Sequence, residues 1–211
     1  MDLAASFPRL SDAEFHTACM ILVDCFNLLP DASRKAKWTA VTLDPDEGVL
    51  QINKELPVPD PFESQIQDHD DAGLEEDDEE ALDHKENNTP IIHYDILLSP
   101  IYSVPVLYFY ISDTLHRYPP TMNTLYKHII VPEYVDQTKD VGVLGGITIT
   151  DHPILNRPVF FIHPCRTAEV MEASVGETPA TSLGYLLMWI GAMGKTVGLD
   201  IPLQLVVQAK G

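Results

Sequence analysis

The chain has 211 residues, 45% of them hydrophobic and 21% charged, enough for one sizeable core. Its 32 acidic and 13 basic residues give a formal net charge of −19. That balance excludes a generic nucleic-acid binder, which needs clustered Lys and Arg, and disfavours adsorption to anionic lipid.

Taken in chain order, the first clear element follows Ser11. Ser11 and Glu14 have the spacing of a capping box. Phe15, Cys19, Leu22, Phe26 and Leu29 follow at helical spacing, which predicts an amphipathic helix over 12–29 that Pro30 stops. Trp38–Leu43 and Val49–Asn53 flank a turn-forming run from Asp44 to Gly48 and read as a hairpin. Ile91–Leu98 and Val104–Ile111 are β-rich and read as a second hairpin. Beyond them lie a short helix at Thr121–Ile130, an extended piece at Ile147–Thr150 and a strand at Pro158–His163. Thr181–Met193 carries Leu183, Leu186, Leu187 and Ile190 on one face, the mark of a second amphipathic helix. Helix, strands and helix in this order predict an α+β domain, an antiparallel sheet flanked by helices.

Between the hairpins the composition changes. Asp60–Glu86 holds 13 acidic residues against one lysine, and setting it aside leaves 19 acidic and 12 basic residues. A run of like charges with little apolar content cannot bury enough surface to offset its ordering entropy. The expectation is one domain over 1–211, with a disordered acidic insertion at about 57–90 acting as a solvated spacer or a docking segment for a partner.

No secretory signal is read at the start, and the longest apolar runs are strand-sized, short of the ~20 residues of a spanning helix. Stable membrane insertion is therefore not expected. The cysteines are Cys19, Cys25 and Cys165. Cys19 and Cys25 lie six apart on one predicted helix, point in different directions and do not pair. An odd, sparse set of thiols fits a reducing compartment, so the expected location is cytoplasmic.

Several chemistries fail on spacing. Gly194-Lys195-Thr196 lacks the glycine a phosphate loop needs five residues earlier, where Trp189 stands. The histidines are scattered, and His163 with Cys165 would supply only two of the four ligands of a structural zinc site. No Gly-x-Ser-x-Gly elbow is present. A papain-like thiol would open a helix, whereas Cys165 follows a predicted strand. Cys165 nevertheless has a suggestive setting. Pro164 ends strand pairing just before it, and His163 and Arg166 bring positive charge, which favours a thiolate. From these residues alone Cys165 is either a reactive thiol or one more buried thiol.

Asp151–Thr167 resembles the catalytic segment of the autophagy ubiquitin-like-conjugating enzymes, nearest the branch named for autophagy-related protein ten. Tyr102–Phe109, Trp189 and Val197–Leu203 agree in the same order. The resemblance implies a fold similar to ubiquitin-conjugating enzymes and a second-step transferase without cofactor or metal. It implies that the ubiquitin-like modifier autophagy-related protein twelve arrives from the activating enzyme, autophagy-related protein seven. Cys165 would hold it as a thioester and pass its C-terminal glycine to a lysine of autophagy-related protein five, supporting autophagosome formation. The His-Pro-Asn support usual in ubiquitin-conjugating enzymes is absent, because Ile154 follows His152-Pro153. His163 is the local substitute, either aiding the thioester or bonding the turn backbone, with Tyr102 of a neighbouring predicted strand ranked behind it. Two alternatives stand beside this reading. One is the sister lipid-conjugating type, protein three, which the stretch Cys165–Met171 resembles locally. The other is a non-catalytic adaptor that binds a ubiquitin-like protein.

Overall fold

The computed structural model describes residues 6–30, 38–56, 89–136, 146–174 and 181–208. The acidic stretch from 57 to 88 lies outside them, and with it the expectation of an insertion.

Helix α1, Asp12–Asn27, begins as its capping box predicts. The Ser11 N–H donates to Glu14 Oε2 at 2.8 Å, and the Glu14 N–H donates to Ser11 Oγ at 3.3 Å, so two of the helix's unpaired donors are satisfied. Phe15, Ala18, Cys19, Leu22 and Phe26 form its buried stripe. The helix ends two residues earlier than predicted, because a residue before proline disfavours helical geometry. The Leu28 N–H still donates to the Asp24 carbonyl with helical spacing, and the Leu29 N–H closes a tighter turn onto the Phe26 carbonyl, at 3.1 Å each.

Both predicted hairpins are present. Strands β1 (Ala40–Asp44) and β2 (Val49–Glu55) pair across a turn in which Asp44 Oδ1 accepts the N–H groups of Asp46 and Glu47. Strands β3 (Ile91–Leu98) and β4 (Pro105–Ser112) pair over their whole length. Strands β5 (Ile147–Asp151) and β6 (Pro158–Ile162) form a third hairpin, and β6 then inserts beside β4. The six strands run in the order β1-β2-β3-β4-β6-β5, all antiparallel.

Alternation along the strands separates two faces. Leu50, Ile52, Ile92, Tyr94, Ile96, Leu107, Phe109, Phe160 and Ile162 face the helices and belong to one core cluster. Covering them are α1 and helix α3 (Ser182–Trp189), which pack on each other. This is the α+β arrangement the element order predicts. Tyr94 ties the layers together, its buried hydroxyl donating to the Val197 carbonyl at 2.7 Å.

Two segments differ from the periodicity. The last long helix is not uniform: α-helix gives way at Ile190–Gly194 to a π-helical turn and at Lys195–Val197 to a 3₁₀ turn. Gly194 permits this close approach, since a Cβ there would sit 2.9 Å from the Leu199 Cβ. The short helix after β4 is likewise α only at Met122–Thr124 and π-helical over Leu125–Ile129. Helices α2 (Thr167–Ser174) and α4 (Leu203–Gln208) were not legible from spacing.

Ser11→Ala is expected to cost about 1 kcal/mol by removing the cap. In a chain of this size that lowers Tm by about 2–4 °C, read in a thermal melt. Burial tends to raise the Glu14 carboxyl, but hydrogen bonds from Ser11 and Ser6 outweigh it and hold it down at about 2. A depressed carboxyl contributes stability that is full above its ordinary value of about 4.5 and is lost as pH falls toward about 2. The stability gap between the natural chain and Glu14→Gln is expected to narrow over that interval in urea titrations.

Candidate active site

The segment Asp151–Thr167 divides into two devices. Its first half makes the turn of the β5–β6 hairpin. The His152 N–H donates to the Arg157 carbonyl at 2.9 Å, and His152 Nδ1 accepts the N–H groups of Ile154 and Leu155 at 3.2 Å each. A ring nitrogen that accepts two donors carries no proton, so the neutral ring bears its hydrogen on Nε2. That nitrogen faces Asp95 Oδ2 at 3.3 Å, on the sheet face away from the helices, without the alignment of a hydrogen bond. Both residues are buried. Burial, with the Arg157 charge, pushes the His152 ring below its ordinary value. Burial raises the Asp95 carboxyl, against the Gln51 hydrogen bond and Arg157. Burial thus disfavours the charged form of each partner.

The second half delivers Cys165. Strand β6 is held on both sides, with Ile162 opposite Leu107 on β4 and Ile147 on β5. The His163 N–H makes the last link, to the Gly146 carbonyl at 3.1 Å. Gly146 has a φ of +51°, a conformation that a side chain strains. Pro164 has no N–H to offer, so the ladder stops. Pro164–Arg166 forms a 3₁₀ turn, and His163 Nδ1 caps it by accepting the Cys165 N–H at 3.1 Å.

Cys165 is exposed, Cys19 buried and Cys25 half-buried. Burial pushes the Cys19 thiol up to about 12. Burial and the neighbouring Asp24 charge raise Cys25 as well. A thiol attacks as its thiolate, so the two helical cysteines are poorly suited to nucleophilic work. Cys165 follows a strand, as predicted. It also opens a helix, because the 3₁₀ turn runs directly into α2. The contrast drawn with helix-opening thiols does not hold, since the short α2 has too little periodicity to be legible.

Tyr102 departs from its expected place on a strand. It lies in the β3–β4 connection, which Ser103 enters with a φ of +52°. The connection closes on itself through the Ser103 N–H to Ser99 carbonyl bond of 2.8 Å. This carries the Tyr102 ring edge-on to His163, with centroids 5.8 Å apart. Tyr102, His163 and Cys165 are therefore brought together. Arg166 is exposed and points its Nε at Glu169 Oε2, 3.5 Å away, so its charge is shared with a carboxylate.

Beside Cys165 opens a cavity of about 280 Å³. Its walls include Ile147 and Ile162 from the sheet, Val170 from α2, and Ala192 and Met193 from the π turn. Spacing alone marked none of these wall residues. The one signal was the glycine-rich end of the last helix, and π turns recur at functional sites. Among the described residues no three His, Cys, Asp or Glu side chains are grouped to hold a metal ion, and no helix is long and apolar enough to cross a membrane.

A solvent-facing thiol at a strand end, held by backbone bonds beside an apolar recess, is the arrangement an acyl-carrying transferase needs. Comparison with known proteins agrees with that class. Residues 14–204 match the family described as "Autophagocytosis associated protein, active-site domain", and the chain belongs to this family. It is a ubiquitin-like-conjugating enzyme of autophagy, as the Asp151–Thr167 resemblance implied. Over nearly its full length it is 27% identical to a protein of Gibberella zeae named "Ubiquitin-like-conjugating enzyme ATG10", covering 96% of this chain and 98% of that one. A human protein of the same name is 34% identical over 116 residues, 52% of this chain and 50% of its own. A solved structure described as "Crystal structure of Autophagic E2, Atg10" aligns with a TM-score of 0.45 and 15% identity, covering 91% of this chain and 99% of that one.

The buried histidine yields a pH prediction. A histidine whose native value is depressed contributes stability that is full above its unfolded value, about 6.5, and is lost as pH falls through the native value. His152→Asn keeps an acceptor for the turn N–H groups and does not titrate. Urea stability is expected to fall less steeply below pH 6.5 in that variant than in the natural chain. Asp95 is present in both proteins, so its opposite contribution largely cancels in the comparison.

Proposed function

We propose that the chain accepts autophagy-related protein twelve as a thioester on Cys165 and transfers it to a lysine of autophagy-related protein five. The observation that carries this reading is the placement of Cys165. It is the exposed thiol of the three, it stands in the His-Pro-Cys turn, and it lies within a family domain matched over 14–204. The relatives' shared name, "Ubiquitin-like-conjugating enzyme ATG10", favours protein twelve over the lipid-directed sister activity. The activating enzyme would be autophagy-related protein seven. The setting is the cytoplasm, which the sparse, unpaired thiols fit.

The chemistry needs no cofactor. The Cys165 sulfur attacks the thioester carbonyl of the modifier on its activating enzyme, the old carbon–sulfur bond breaks and a new one forms. A lysine amine then attacks the Cys165 thioester, Cys165 leaves as a thiolate, and the amine loses its proton to solvent or a nearby base. The enzyme contributes by holding the thioester in one orientation and supporting the oxyanion. His163 positions the nucleophile, because its Nδ1 fixes the Cys165 N–H and with it the turn. That bond leaves the neutral His163 ring one donor, Nε2–H, for the developing charge, and the Tyr102 ring limits how it turns.

Incubation with activating enzyme, ATP and either protein twelve or autophagy-related protein eight, the modifier that the lipid-conjugating alternative would carry, tests the assignment. A thiol-sensitive adduct with protein twelve, and its discharge onto protein five, is expected. An adduct with protein eight alone would establish the lipid-conjugating type, and none with either would leave a binding adaptor. Cys165→Ser is expected to trap an oxyester that discharges poorly. Single-turnover discharge from preloaded enzyme checks His163. His163→Ala is expected to slow it by about 10²–10³, the cost of one lost oxyanion donor. His163→Asn keeps a capping acceptor and should therefore load more nearly normally. Unchanged discharge from a stable His163→Ala protein would remove His163 from the reaction.

A further inference from the structure

The cavity beside Cys165 is larger and more apolar than a thioester itself requires. We infer that it receives the side chain of the residue just before the modifier's C-terminal glycine, and that it selects tails in which this residue is a bulky apolar or aromatic one. The inference rests on the assignment of Cys165 as the acyl carrier.

Three observations carry it. First, Cys165 is itself part of the cavity wall, together with His163 and Arg166 and with the apolar Ile147, Ile162 and Met193. Once the terminal residue is bonded to the Cys165 sulfur, the preceding Cα lies about 3.8 Å from the terminal one, so its side chain is within reach of the recess. Second, the volume of about 280 Å³ suits a large group. An apolar cavity of about 150 Å³ already holds a benzene-sized guest. A tail ending in two glycines would leave this one unfilled. Third, the wall comes from separate elements that leave the recess open: the β5 and β6 ends, α2, and the π turn at Ile190–Gly194. Ala192 contributes only a methyl group at the rim, where a larger residue would close the space. Filling such an apolar recess removes hydrocarbon from water, and the gain grows with the side chain buried.

The step is a thioester exchange that conserves atoms and electrons. The Cys165 sulfur takes the acyl carbon, the peptide's carbon–sulfur bond breaks, the departing thiol gains the proton Cys165 gives up, and nothing is oxidised.

The test uses the full chain and short peptides ending in Xaa-Gly as mercaptoethanesulfonate thioesters, with Xaa as Gly, Ala, Leu or Phe. The rate of acyl addition to Cys165 is followed by intact mass and divided by the same peptide's rate with glutathione. Leu and Phe tails are expected to load at least about tenfold faster than the Gly tail, within the gain available from burying one apolar side chain. In Ala192→Phe, which fills the recess from an exposed position, the ratio should collapse toward one. Equal corrected rates for all four tails on the natural chain would overturn the inference while leaving Cys165 as acyl carrier. The recess would then serve another group, such as the stem of the acceptor lysine. A preference that persists unchanged in a folded Ala192→Phe protein would also overturn it. Acylation that spares Cys165 for every tail would defeat the assignment of Cys165 together with the inference.

Discussion

The position of Cys165 depends on how strand β6 stops. The strand is pinned by β4 on one side and β5 on the other, and the His163 N–H to Gly146 carbonyl bond of 3.1 Å continues the β5 pairing one residue further. Pro164 then removes the next donor, and the chain must leave the sheet. His163 accepts the N–H of Cys165 as it does so, which fixes the direction of departure. The position of the thiol is thus set by rigid elements on one side and a single capped turn on the other. A thiol held in this way would lose little freedom in acting as a nucleophile.

The same short segment serves two faces of the sheet. At the start of the turn, His152 folds onto the outer face, against Asp95 and edge-on to Tyr108 with ring centroids 5.0 Å apart. At the far end of β6, His163 stands beside Cys165. Both histidines use Nδ1 to accept backbone N–H groups, and they differ in what surrounds them. His152 is 1% exposed and its neutral ring is favoured by burial, whereas His163 is exposed beside the thiol. One closes the hairpin that orients β6, and the other sits where acyl transfer would occur. Sequence likeness over Asp151–Thr167 therefore marks a unit of structure as well as a candidate site.

Much of this was legible because its causes are local. Ser11 and Glu14 announce the first helix through hydrogen bonds three residues apart. The hairpins show in alternating β-rich runs around turn residues, and the turn that carries Cys165 shows in the stop that Pro164 imposes on a strand. What stayed hidden has non-local causes. The insertion of β6 beside β4 brings together residues some fifty positions apart, such as Leu107 and Ile162. Tyr102 reaches His163 because Ser103 adopts a positive φ, which serine seldom does. Thr167–Ser174 is too short to show a period, although it buries Met171 and supplies a cavity wall through Val170. The cavity belongs to no single segment and so has no linear signal.

The central claim is that the modifier is carried on the sulfur of Cys165. It is tested most directly by mapping the loaded enzyme. Free thiols of enzyme charged with protein twelve are blocked by alkylation, the thioester is cleaved with hydroxylamine, and the newly freed thiol takes an isotopically heavy label. Peptide mass spectrometry then reads which cysteine bears it. The account predicts the heavy label on Cys165, with the light one on Cys25 and, after unfolding, on Cys19. A heavy label on Cys19 or Cys25, or Cys165 blocked while the modifier remains attached, would contradict it.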